Sequence, residues 1–259
     1  MRWHERRFVR RIALLVGAAA LMIAVANWPT TRYVGVDFVV SEQRLPLWVK
    51  AMEFVDRDVN FSEAAAAVLG NIDNDEAKTA AALAWTRANV RTTPPGWPII
   101  DDHIWHVIIR GYGTADQQAD VFTTMLAYQG VRAYWMFIGQ KPREIPISYV
   151  SIDDRWRAFD VARGVVFRNA GGAPATPEEL AANHDLIRRA AAPVVDDIEG
   201  YLSQFYGYQA PLAPDVLRAD LQMPGRRLWY EIRKPFGMQG REWRMRPSPT
   251  PARAEVRTP

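Results

Sequence analysis

The chain has 259 residues, nearly half of them apolar and ten of them tryptophan, so it can fill one sizeable domain with appendages or two small ones. It contains no cysteine, which excludes disulfides, thiolate metal sites and a cysteine nucleophile together. The formal charge of +3 conceals an asymmetry. Residues 1–11 carry five Arg against one Glu, and residues 224–259 carry nine Arg or Lys against three Glu, so the stretch between them is acidic. A nucleic-acid-binding domain would need a basic face on its folded core rather than two basic ends, so no nucleic-acid partner is expected.

Residues 1–29 open with a basic stretch and then run uncharged from Ile12 to Trp28, a rise of roughly 25 Å as a helix. That is the short end of a bilayer span. Two readings fit: an uncleaved signal anchor with Trp28 at the interface, or a cleavable signal peptide ending at the small residues Ala24–Ala26. Both leave the basic stretch on the cytoplasmic side and the rest of the chain outside a bacterial inner membrane, in the periplasm.

Next comes a strand-like segment, RYVGVDFVV, and a turn at Pro46. Residues 47–70 have helical spacing with a break expected near Asn60. A second helix follows Asn74, whose side chain suits an N-cap, with two acids in its first turn. The stretch TTPPGWPIIDDH is a loop by its prolines and glycine. GYGTADQQADVFTTMLAYQG (111–130) is a glycine turn entering a helix that should bury Ala119, Phe122, Met125 and Leu126 and stop at Gly130. The period then changes to two in VRAYWMFIG, ISYVSID and RWRAFDV, the last two joined by a tight Asp153–Asp154 turn, and GVVFRN adds a fourth strand. Two further helical stretches follow, and residues 246–259 are Pro- and Arg-rich with too little apolar content to fold.

These pieces, in this order over residues 75–169, resemble the transglutaminase-like domain of the papain-like thiol superfamily. The resemblance implies an α+β fold, a helix packed on an antiparallel sheet, here preceded by one N-terminal membrane helix. Hydropathy and charge divide the chain into 1–29, the basic stretch with its membrane anchor or signal peptide, 30–223, the domain with the motif core 75–169, and 224–259, a basic Pro- and Arg-rich tail. The resemblance also implies a Cys–His–Asp triad, in which a thiolate attacks an amide or ester carbonyl and backbone N–H groups receive the oxyanion. Gly113 matches the glycine before the nucleophile and Ala119 the small residue one turn later, which puts Ala115 at the cysteine position. On the strand, Tyr149 matches the aromatic and Ser151 the acidic position, which puts Ile147 at the histidine position, facing Ala115. Asp160 matches the third member. No catalytic residue is therefore expected at Ala115 or Ile147, and the chain is read as a degenerate member.

Several other polar residues lie near the vacant positions. Thr114 suits a helix cap, and Ser148 should face away from the helix because Ile147 faces it. His103 and His106, with Asp101 and Asp102, suggest metal ligands, but no third or fourth ligand follows at a recognisable spacing. No cofactor or metal is expected. Asp160 serves either a retained polar pocket or a turn paired with Arg157 or Arg163, and His184 is a solvated helix residue. Tyr201, Phe205, Tyr206 and Tyr208 either pack a helix or bind sugar rings. The basic segment after Met223 interleaves Arg with Trp229, Tyr230, Phe236 and Trp243, as a membrane-surface segment or a tail gripping an anionic polymer would. The leading functional expectation is a non-catalytic, membrane-anchored module that binds a protein or polysaccharide partner in cell-envelope or exopolysaccharide assembly. The alternatives are a hydrolase or transferase acting on amides or esters without a thiol, and a structural domain whose partner contacts lie in the tail.

Overall fold

The computed structural model describes residues 3–37, 39–101, 103–238 and 240–241. The stretch 246–259, with Phe38, Asp102 and Trp243, lies outside the described residues. The chain divides into two units, residues 1–59 with 98–102, and residues 60–97 with 103–259.

In the first unit, α1 (Trp3–Ala26) is followed by the antiparallel hairpin β1 (Pro29–Val36) and β2 (Val39–Pro46), in register from Pro29↔Pro46 to Val36↔Val39. The expected single strand is thus two. Asp37, at φ 49°, turns the chain, and its carboxylate accepts the Ile99 N–H at 3.0 Å. This brings β4 (Ile100–Asp101) alongside β1. Arg32 ties the hairpin to the start of α2 (Leu47–Leu69) by pairing with Glu53 at 3.0 Å. The break expected near Asn60 is not found. α2 is continuous because asparagine costs a helix interior only a few tenths of a kcal/mol, and the adjacent Phe61 is buried. Among the described residues no helix is long and apolar enough to cross a membrane. Within α1 the uncharged stretch Ile12–Ala26 rises about 22 Å.

The second unit is a mixed helix and sheet fold. α3 (Asp75–Asn89) is capped as expected, the Asn74 side chain accepting from the Ala77 N–H. It leads into β3 (Arg91–Thr92), α4 (Ile104–Arg110), β5 (Tyr112–Gly113) and α5 (Ala115–Tyr128). Then β6 (Ala133–Ile138), β7 (Ile145–Ile152), β8 (Arg155–Asp160) and β9 (Val165–Val166) form one antiparallel meander in chain order. Asp153 and Asp154 both have positive φ, the pair that a two-residue type I′ hairpin demands. α6 (Pro177–Ala182), α7 (His184–Ala191) and α8 (Ile198–Ser203) follow, and after a 3₁₀ turn at Asp220–Gln222 comes α9 (Pro224–Arg233). The expected basic tail therefore begins as a helix.

Two apolar clusters lie on opposite faces of this sheet. One joins Phe61 and Leu69 of α2, α3, α4 and the Val121, Phe122, Met125 and Leu126 face of α5 to Ala133, Val150, Ile152 and Phe159. The other joins Tyr134, Met136, Ile147, Tyr149 and Ala158 to residues of α6, α7 and α8. Alternate residues of each strand thus enter different cores, which is why both faces of β6 and β7 are apolar.

Candidate functional site

The glycine turn before α5 is fixed from both sides. Gly111 closes α4 in the left-handed conformation at φ 73°. Its carbonyl accepts the Arg91 N–H at 3.0 Å, and the Gly113 carbonyl accepts the Thr93 N–H at 3.0 Å. A Cβ on Gly113 would stand 3.0 Å from both Gln117 Oε1 and Val107 Cγ1, so the glycine allows a close approach here. Gln118, buried in α5, donates from Nε2 to the Val90 carbonyl at 2.9 Å.

The start of α5 is already occupied by its own side chains. Gln117 Oε1 accepts the Thr114 N–H at 3.1 Å, and the Thr114 hydroxyl donates to Asp116. Asp116 sets a carboxylate in the first turn, where it complements the positive helix end. A developing oxyanion beside Ala115 would meet that carboxylate. Ala115, half-buried at the first helical position, offers only a methyl group.

The structure does not bring Ala115, Ile147 and Asp160 together. Ile147 is fully buried in the cluster with α6, α7 and α8, on the sheet face opposite the one that α5 covers. The expectation that it faces Ala115 is therefore corrected, and so is the expectation that Ser148 turns away. Val150 and Ile152 lie under α5, so strand alternation puts Ser148 on that same face. The sequence alone could not set this phase, because β7 is apolar on both faces.

Asp160 holds the opposite face together. Its carboxylate accepts from the Tyr201 hydroxyl at 3.0 Å, from the Arg163 backbone N–H at 3.1 Å and from the Arg163 guanidinium at 3.0 Å. Burial, and next the Asp160 charge, push the Tyr201 phenol well up, so it stays a neutral donor. The turn pairing with Arg163 is thus found, while Arg157 donates to the Pro174 carbonyl. Tyr201 and Phe205 are core residues, Tyr208 exchanges a hydrogen bond with Tyr149 at 3.0 Å, and Tyr206 is exposed.

His103 caps α4, its Nδ1 accepting the Trp105 N–H at 3.1 Å, while its Nε2 lies 2.9 Å from Gln222 Oε1. An Nδ1 that accepts requires the proton on Nε2, so both ring nitrogens of the neutral ring are engaged and neither is presented to a metal. Among the described residues no group of three or more His, Asp or Glu is placed to hold a metal ion.

One polar arrangement on the α5 face was not read from the sequence. Asp120 is buried one turn after Asp116, accepts from Trp135 Nε1 at 2.9 Å and pairs with Arg218 at 2.7 Å. Burial pushes its carboxyl up, against the pull of Arg218 and Trp135. In the sheet beneath, Trp135, Ser148 and Phe159 stand in one cross-strand row, and the Ser148 hydroxyl is buried with no hydrogen-bond partner among the described residues. The sequence signal was only an acid on a helix face otherwise reading as core. Arg218 lies almost a hundred residues further on, so nothing local announced the pair.

A cleft of about 290 Å³ opens between α3 and the β8–β9 end of the sheet. Its floor is Leu83, Phe159 and Val166, and Arg87, Arg168 and Glu76 stand on its walls. Arg168 reaches Glu76 at 4.0 Å, and the Arg87 guanidinium lies against Gly164, where a Cβ would meet it at 2.2 Å.

No known family matches the chain by sequence profile, and no curated protein matches it. Solved structures similar to part of it include the following two. One is a candidate cysteine protease from Cytophaga hutchinsonii, 20% identical over 48% of this chain and 44% of its own, with a TM-score of 0.37. The other is a candidate protease from Parabacteroides distasonis, 10% identical over 59% of this chain and 41% of its own, with a TM-score of 0.32. The chain spans less than half the length of either.

Proposed function

We propose that this chain is a non-catalytic module of the transglutaminase-like type, held at a bacterial inner membrane by its N-terminal segment and acting outside it by binding. The observation that carries the reading is the start of α5, where Ala115 takes the first helical position and Asp116 already complements the helix end. A thioester cannot form on a methyl group, and a carboxylate at the helix end opposes the charge that acyl transfer develops. Ser148, the hydroxyl on the same sheet face, is fully buried and out of reach of a substrate carbonyl.

Binding is supported by the cleft between α3 and the sheet, whose size suits a small ligand or the end group of a longer one. Its apolar floor beside Arg87, Arg168 and Glu76 favours a polar group carried on an apolar or sugar-like body. That chemistry is compatible with a cell-envelope polymer, including an exopolysaccharide. Membrane attachment is supported by α1, whose Leu14, Leu15, Val16, Leu21, Met22 and Ile23 are all exposed. Apolar surface of that extent is unfavourable in water.

The test is an assay of the purified full chain on amide and ester probes for hydrolysis and acyl transfer. The expected result is turnover at the level of a buffer blank, unchanged in Ala115→Ser. Turnover above the blank that is lost in Asp120→Asn would establish instead an enzyme without a thiol.

A further inference from the structure

We propose that α9 and the turn after it form an interfacial segment that lies in the headgroup region of an anionic phospholipid bilayer. At 100° per residue, Leu228, Trp229 and Ile232 fall within an arc of about 100° on one side of the helix. Phe236, in the 3₁₀ turn Lys234–Phe236 that follows, is a further exposed apolar side chain. Leu228 is 63%, Trp229 60% and Phe236 71% exposed, and α9 has no buried residue. Nothing in the described chain covers this stripe.

The charges identify what would. Arg226, Arg227, Arg233 and Lys234 all project on the other side of the helix, and Glu231 is the one acid between Pro224 and Arg241 within the described residues. Arg226 is paired with Asp220 and Arg227 with Glu231, and the segment still carries a net positive charge. Arg233 sits 5.8 Å from the centre of the Trp229 ring and Lys234 5.8 Å from that of Tyr230. Arg233 is thus held beside the Trp229 ring at the rim of the stripe, while Lys234 and Tyr230 meet on the other side. An apolar arc one helix turn deep with aromatic and cationic residues at its border matches the layering of a bilayer surface, where acyl chains, glycerol and anionic phosphate follow one another in depth. A protein groove would cover the arc but would leave the cationic side in water, whereas an anionic headgroup layer meets both at once.

This assignment stands apart from the proposed anchoring through α1, and the two are separable because the chain has no cysteine. Two single-cysteine versions of the full chain, Ile232→Cys and Ala18→Cys, are labelled with an environment-sensitive dye. Each is mixed with vesicles of phosphatidylcholine alone or doped with phosphatidylglycerol. The dye at 232 is expected to move to the blue and lose iodide quenching with phosphatidylglycerol vesicles only, and to return towards its aqueous spectrum at high salt. Adding Arg233→Glu and Lys234→Glu to the Ile232→Cys chain should weaken that response by at least about tenfold. A dye at 232 that stays aqueous while the dye at 18 enters lipid overturns the assignment and leaves the anchor standing. A dye at 18 that stays aqueous while 232 enters lipid supports the assignment and removes the anchor. An equal blue shift with soluble dextran sulfate and no lipid overturns it in favour of a polymer-gripping tail.

Discussion

Replacing Asp160 by alanine separates a structural carboxylate from a catalytic one. In the wild type, three donors converge on this fully buried side chain: the Tyr201 hydroxyl, the Arg163 backbone N–H and the Arg163 guanidinium. A hydrogen bond to a charged acceptor contributes roughly 1.5–3 kcal/mol, and an abandoned buried hydroxyl costs about 1–3 kcal/mol. The Arg163 side chain is 35% exposed, so water recovers most of its share and the ion pair adds little. Asp160→Ala is therefore expected to cost about 3–5 kcal/mol, which at roughly 2–4 °C per kcal/mol lowers the melting temperature by about 6–20 °C. Thermal and urea melts of the full chain, followed by tryptophan fluorescence, measure this. Tyr201→Phe should cost less alone and almost nothing more on top of Asp160→Ala, because the orphaned hydroxyl is then gone. A melting temperature within about 2 °C of the wild type would refute the claim that Asp160 holds α8 onto the sheet. It would reopen a chemical role for the carboxylate.

Other expectations concern the two cores and the glycine turn. Burial pushes the Tyr134, Tyr149 and Tyr201 phenols up, so the native state keeps protons that the unfolded chain sheds above about pH 10. Stability should hold below that pH and fall above it by about 1.4 kcal/mol per pH unit for each phenol. Alkaline urea melts read the slope, which Tyr149→Phe should make shallower; phenol ionisation near pH 10 without unfolding would contradict this. Asp120 has its carboxyl raised by burial, so its contribution to stability declines as pH rises from about 4 through its folded value. The wild type should therefore lose stability relative to Asp120→Asn as pH rises above about 4 in urea midpoints, and a gain would mean that the Arg218 pair dominates. Gly113→Ala pushes a methyl against Gln117 and Val107 and should cost about 1–3 kcal/mol. A neutral melt would show that the turn before α5 yields easily.

Most of the local structure was legible in the chain. Asn74 before α3, Gly130 after α5 and the Asp153–Asp154 turn each act through their own backbone, so sequence alone is enough to place them. The number of strands in the first unit was not, since only the positive φ of Asp37 divides the run that reads as one strand. The absence of a nucleophile at Ala115 is also a fact of sequence. What Ile147, Ser148 and Asp160 do was decided by tertiary structure, because a strand buried on both faces carries no polar alternation to set its phase. Only the packing of α5 on one side and α6 to α8 on the other assigns Ser148 to the first core and Ile147 and Asp160 to the second. The Asp120–Arg218 pair joins positions far apart in the chain for the same reason: a buried charge finds its partner in space, and no spacing in the sequence records it.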